Sequence, residues 1–99
     1  MEEALNDLQS LDKTQKVQVV KAIKKVSTNP LSKSEGGYGN PLGNRGGINL
    51  TGLYKIKLLK LGIRVVYKLE KTETEMLIIV VGMRSDEEVY KEADKRISK

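Results

Sequence analysis

Four cations and one phenol are the residues that could act together: Lys55, Lys57, Arg64, Arg84 and Tyr90. Lys55 and Lys57 sit in the alternating run Tyr54-Lys55-Ile56-Lys57-Leu58, and Arg64 in a second run, Gly62-Ile63-Arg64-Val65-Val66-Tyr67. Successive side chains of a strand point to opposite faces. Each run therefore turns Tyr54, Ile56 and Leu58, or Ile63, Val65 and Tyr67, away from its cations. Folded as a hairpin about Lys60-Leu61-Gly62, the two runs bring Lys55, Lys57 and Arg64 close together, where like charges repel. A bound anion would offset that repulsion. Strand lysines also guard sheet edges against aggregation, but that role leaves the repulsion in place. The chemistry such a cluster suits is holding an anion.

The chain has no histidine and no cysteine. It thus lacks the commonest general base and the commonest soft metal ligand. Acid–base work would fall to Tyr, Lys, Arg or carboxylates, a divalent ion would be repelled by the hairpin, and no cofactor is expected. A net charge of +5 favours an anionic partner. With four tyrosines and no Trp or Phe, stacking on nucleic-acid bases is limited. No apolar run approaches the ~18 residues of a membrane span. The acidic start, Met1-Glu2-Glu3-Ala4, lacks the basic-then-apolar layout of a secretion signal. A cytoplasmic home is expected, and the absence of cysteine agrees with it.

These residues must be positioned by a single domain spanning residues 1–99, large enough for one modest core. Ala4, Leu5, Leu8 and Leu11 fall at helical spacing over residues 2–11. Asp12-Lys13-Thr14-Gln15 reads as a capping box opening a second helix to about Ser27, which would bury Val17, Val20, Ile23 and Val26. Residues 31–52 hold seven of the nine glycines and read as a flexible connector; no Gly-Lys-Ser/Thr follows, so it is not a phosphate-binding P-loop. After the hairpin, Met76-Leu77-Ile78-Ile79-Val80-Val81-Gly82 reads as a strand buried on both faces, hence central in the sheet. Ser85-Asp86-Glu87-Glu88 resembles a second capping box, opening a helix to Ile97 with Val89, Tyr90, Ala93 and Ile97 along one side. The fold class is α+β: a helical hairpin on a small antiparallel sheet of three strands, followed by a C-terminal helix. By itself Tyr90 is more easily read as a core residue than as a catalytic one.

Tyr54-Lys55-Ile56-Lys57-Leu58, Gly62-Ile63-Arg64-Val65-Val66-Tyr67, Val81-Gly82-Met83-Arg84 and Glu88-Val89-Tyr90-Lys91-Glu92-Ala93-Asp94-Lys95-Arg96-Ile97 together resemble the RelE-type toxins of type II toxin–antitoxin systems. The resemblance runs from the helical hairpin to the end of the chain. It implies a RelE-like fold and a ribosome-dependent endoribonuclease that cuts mRNA in the A site without a metal. In that reaction the 2′-hydroxyl attacks the adjacent phosphate. Lys55, Lys57, Arg64, Arg84 and Tyr90 match the family's functional positions, and Met83 stands where some relatives carry a further lysine. Tyr90 or Lys55 would serve as base, and Arg84 as acid or charge stabiliser. Lys60, Lys68, Lys21, Lys24 and Lys25 become candidate RNA or ribosome contacts. Implied partners are an acidic RelB-like antitoxin, in a toxin–antitoxin hetero-oligomer, together with the ribosome and mRNA. The family usually opens with a β-strand before the first helix, and that edge strand is expected to be missing here. Two rivals use the same scaffold: a non-enzymatic, gyrase-inhibiting toxin like the ParE group, and an inactive toxin that only binds its antitoxin.

Overall fold

The computed structural model describes residues 2–31, 34, 36–45, 48–58, 60–70, 75–83 and 86–97. Two helices, α1 (Glu2–Gln9) and α2 (Lys13–Ser27), precede four strands, β1 (Asn40–Arg45), β2 (Ile48–Leu58), β3 (Ile63–Glu70) and β4 (Glu75–Gly82), and a last helix, α3 (Asp86–Ile97). The strands form one sheet in the order β1-β2-β3-β4, with every neighbouring pair antiparallel. Helices α1 and α2 lie on one face of the sheet and α3 on the other.

Local chemistry accounts for the helices. Glu2 and Glu3 occupy the first turn of α1, where the helix dipole favours negative charge. At α2 the Asp12 carboxylate accepts the Gln15 backbone N–H at 2.8 Å, and the Gln15 side chain accepts the Asp12 N–H at 3.2 Å. This is the expected capping box. The α2 face turned to the sheet differs by a partial turn from the expected one: Val19 and Val26 are buried, whereas Val17 is 45% exposed. Leu5 is also exposed, and on α3 Val89, Tyr90 and Ala93 are buried while Ile97 stays partly open.

Three strands were expected and four are present. The additional one, β1, lies within the glycine-rich segment read as a connector. Its Leu42 is buried, and so is Leu50 in the early part of β2. Pro41 is tolerated because β1 is an edge strand, where a missing N–H costs no ladder bond, and the register shifts between Pro41 and Gly43. No strand precedes α1 among the described residues.

β4 corrects a second expectation, since it lies at the sheet's edge and not at its centre. Its unbroken apolar run has another cause: helices cover both its faces, α1 on one side and α3 on the other. Side chains stand in for a missing neighbour strand. Asp7 Oδ2 of α1 accepts the Val81 N–H at 3.0 Å, and Arg96 Nη1 of α3 donates to the Ile79 carbonyl at 2.7 Å. Arg96 also bonds the Asp7 carboxylate at 2.7 Å and Glu92 at 2.8 Å. The Asp7 hydrogen bond raises the Arg96 pKa further above its already high value, against the opposing effect of burial.

Candidate functional site

The β2–β3 hairpin positions the basic residues rung by rung. Leu53 stands opposite Lys68, Lys55 opposite Val66, and Lys57 opposite Arg64. All six side chains share the face that carries α3. The alternate rungs pair Tyr54 with Tyr67, Ile56 with Val65 and Leu58 with Ile63, and these face α1 and α2. The second face is dry. Tyr54 and Tyr67 stack with ring centroids 5.2 Å apart, and the buried Tyr67 hydroxyl donates to the Pro30 carbonyl at 2.9 Å. Burial, with a smaller contribution from Tyr54, pushes the Tyr67 phenol up to about 12.

The cationic face is only partly open. Leu53 and Val66 are buried there, in one cluster with Val80, Val89, Tyr90 and Ala93. Helix α3 therefore sits over the middle of this face and leaves the cations around its rim. Lys55, Arg64 and Lys68 are half-buried, and Lys57 and Lys60 are exposed. Tyr90 is buried, its hydroxyl included. Arg84 lies outside the described residues, as do the turn at 71–74 and the Ser85 end of the expected capping box.

The structure thus brings Lys57 and Arg64 together on one rung, with Lys55 one cationic position along β2. Directly opposed strand residues have Cβ atoms about 4.5–5.5 Å apart. Beyond Arg64 the same row ends at Gly82 of β4, which has no side chain to fill the space. Arg64 Nη1 donates to the Gly62 carbonyl at 3.3 Å, tying its head to the turn. Two cations beside a side-chain-free position can meet an anion from two directions, which is what a phosphate with charge on several oxygens requires. Among the described residues no group of three or more carboxylate, His or Cys side chains is placed to hold a metal.

Lys21, Lys24 and Lys25 of α2 are exposed on the opposite layer. Lys21 and Lys24 do not join the Lys57–Arg64 rung. Lys25, at the end of α2, lines a groove with Tyr38, Asn40, Ile56 and Lys57. Tyr38 and Asn40 were not singled out from sequence. The available signal was modest: Tyr38 is the one aromatic residue in the glycine-rich segment.

No family model matches the chain. Full-length relatives do. The mRNA interferase toxin RelE of Escherichia coli K12 is 33% identical over 96 residues, covering 97% of this chain and 90% of the relative, and the mRNA interferase RelE of Shigella flexneri matches equally. The isolated E. coli RelE toxin superposes with a TM-score of 0.67 at 32% identity, over 98% of this chain and 93% of that one. An E. coli RelE mutant in complex with a peptide of the antitoxin RelBc gives 0.68 at the same identity, over 94% and 87%. An antiparallel sheet between a helical pair and a C-terminal helix, identity of this level and near-complete mutual coverage lead to one assignment: the chain belongs to the RelE toxin family.

Proposed function

We propose that this protein is the mRNA-cleaving toxin of a type II toxin–antitoxin system and cuts messages on the ribosome. The observation that carries the reading is the Lys57–Arg64 rung beside Gly82, two like charges held opposite each other at the exposed end of the hairpin. The relatives' names, mRNA interferase, support the same chemistry. The message's 2′-hydroxyl attacks the adjacent phosphate, leaving a cyclic phosphate and a free 5′-hydroxyl. Lys57, Arg64 and Arg84 stabilise the charge that gathers on the phosphoryl oxygens, a kind of help worth about 10²–10³ in rate for one donor. Lys55, half-exposed, can meet RNA without rearrangement and is the better-placed base, whereas the Tyr90 hydroxyl must first be uncovered. Lys60 and Lys68 extend the basic rim toward the RNA backbone, and Lys21, Lys24 and Lys25 offer a second basic surface to the ribosome. A RelB-like antitoxin is the natural partner, since a RelE neighbour is known in complex with an antitoxin peptide.

Primer extension on messages after induction tests this. The wild type is expected to leave codon-phased cuts, and Arg64→Ala or Arg84→Ala to leave messages whole and cells growing. Intact message with gyrase-linked DNA damage under the wild type would overturn the reading in favour of a gyrase inhibitor.

A further inference from the structure

The groove shared by Lys25 and Lys57 is a feature of the basic surface that the cleavage chemistry does not use. β1 begins at Asn40, opposite Lys55, so the last residues of β2, Ile56–Leu58, run on past it. The end of α2 closes the space above them. The resulting groove holds about 260 Å³, below the usual range for drug-sized ligands, and its lining includes Tyr38, Lys25 and Lys57.

Tyr38 is 47% exposed, an unusual place for a large ring, and the Lys25 ammonium lies 5.4 Å from its centroid. The segment that carries it is pinned. Tyr38 N–H donates to the Asn29 carbonyl at 3.0 Å, Gly39 N–H to the Leu31 carbonyl at 2.9 Å, and Asn29 Nδ2 to the Gly36 carbonyl at 3.3 Å. Glycine is required at two places by close approach. A Cβ on Gly37 would run into the Leu31 carbonyl, and one on Gly39 would lie 2.5 Å from the Tyr67 hydroxyl and 2.8 Å from the Pro30 carbonyl. The loop is built down onto the end of α2, and its aromatic residue is held out from it. A fixed ring gives up little conformational freedom on binding.

We propose that this groove is a stacking subsite for an unpaired base of the message, close to the scissile phosphate. The inference rests on the mRNA-cleaving reading above and adds a residue for positioning the substrate. Every base offers a π-face to Tyr38. Lys25 remains within reach of the adjoining phosphate, and the Asn40 amide can donate or accept at a base edge. Lys57 borders both this groove and the Arg64 rung, so a base seated against Tyr38 fixes the approach of the phosphate next to it. Tyr38 acts here through placement and not as a catalytic residue.

The test uses the purified protein, ribosomes programmed with synthetic messages, and messages carrying one abasic ribonucleotide at successive positions around the cut. Tyr38→Leu is expected to slow cleavage about tenfold, while Tyr38→Phe, which keeps the ring, stays within about twofold of wild type. At one abasic position the wild type should fall to the Tyr38→Leu rate and that variant should fall no further. A Tyr38→Leu variant that cleaves at the wild-type rate overturns the proposal. A defect that persists undiminished on every abasic message also overturns it, because Tyr38 would then touch something other than the message, such as ribosomal RNA. Should Tyr38→Leu melt early, Tyr38→Gln, a polar change at this exposed position, carries the same abasic comparison. Arg64→Ala in parallel separates the two readings. If the wild type leaves every message whole, the nuclease reading falls and the subsite with it; if the wild type cuts, Arg64→Ala is inert and Tyr38→Leu cuts as the wild type does, only the subsite falls.

Discussion

The two faces of the β2–β3 hairpin are built from the same strands and do opposite things. Toward α1 and α2, every rung is apolar or aromatic, and the hydroxyl of Tyr67 is buried with a fixed acceptor. Toward α3, the rungs mix Leu53 and Val66 with Lys55, Lys57, Arg64 and Lys68. One face is spent on stability. The other uses two buried residues to seat a helix and keeps its cations at the rim, near enough to act together. The lesson is that a cationic strand face need not be bare to be functional, provided the apolar residues fall where the helix crosses.

Substitutions can break this contrast. The largest effect is expected from Lys57→Ala with Arg64→Ala, which should lower message cleavage about a thousandfold or more. The urea midpoint should barely move, because removing the charges also relieves a like-charge rung. On the sheet's helical-pair side, Asp7→Ala should do the reverse. It removes one of the two carboxylates that Arg96 bonds, on a side chain only 10% exposed, and leaves the Val81 N–H without its acceptor, destabilising the fold by about 2–3 kcal/mol in urea denaturation.

Alkaline titration sharpens the same contrast. The folded Tyr67 phenol titrates near 12 and the unfolded one near 10, so the folded state holds the proton more tightly. Stability from this group is complete below pH 10 and is lost as pH rises toward 12, on the order of 2 kcal/mol in all. Tyr67→Phe should flatten that slope in melting curves at successive pH values. It should also cost about 1–2 kcal/mol at neutral pH, by leaving the Pro30 carbonyl without its donor. The smallest effect belongs to Lys21→Gln with Lys24→Gln. Ribosome binding should weaken a few-fold, and its salt dependence should become shallower by about one for each RNA phosphate that is no longer neutralised.

Much of this was legible in the residues. The hairpin's alternation gave its turn and both its faces, and the Asp12–Gln15 pair gave the start of α2, because these signals are local and repeat at fixed spacing. β1 was not legible. Asn40-Pro41-Leu42-Gly43-Asn44-Arg45 has the composition of a turn, and only pairing with β2 and burial of Leu42 make it a strand. β4 misled for a related reason: an apolar run reports that both faces are covered and says nothing about lateral neighbours. The Lys55, Lys57 and Arg64 cluster could be placed from strand parity alone. The groove at Tyr38 could not, since it depends on where β1 begins and on which carbonyls at the end of α2 receive the loop.

The edge of β4 has a consequence for how this protein opens. The Val81 amide is bonded to a carboxylate on α1, while the ladder beside it runs to β3. Lifting α1 off the sheet frees that amide and leaves the β3–β4 ladder closed. Val81 should therefore exchange its hydrogen on a faster clock than its neighbours in β4, and that clock reports the free energy of undocking one short helix.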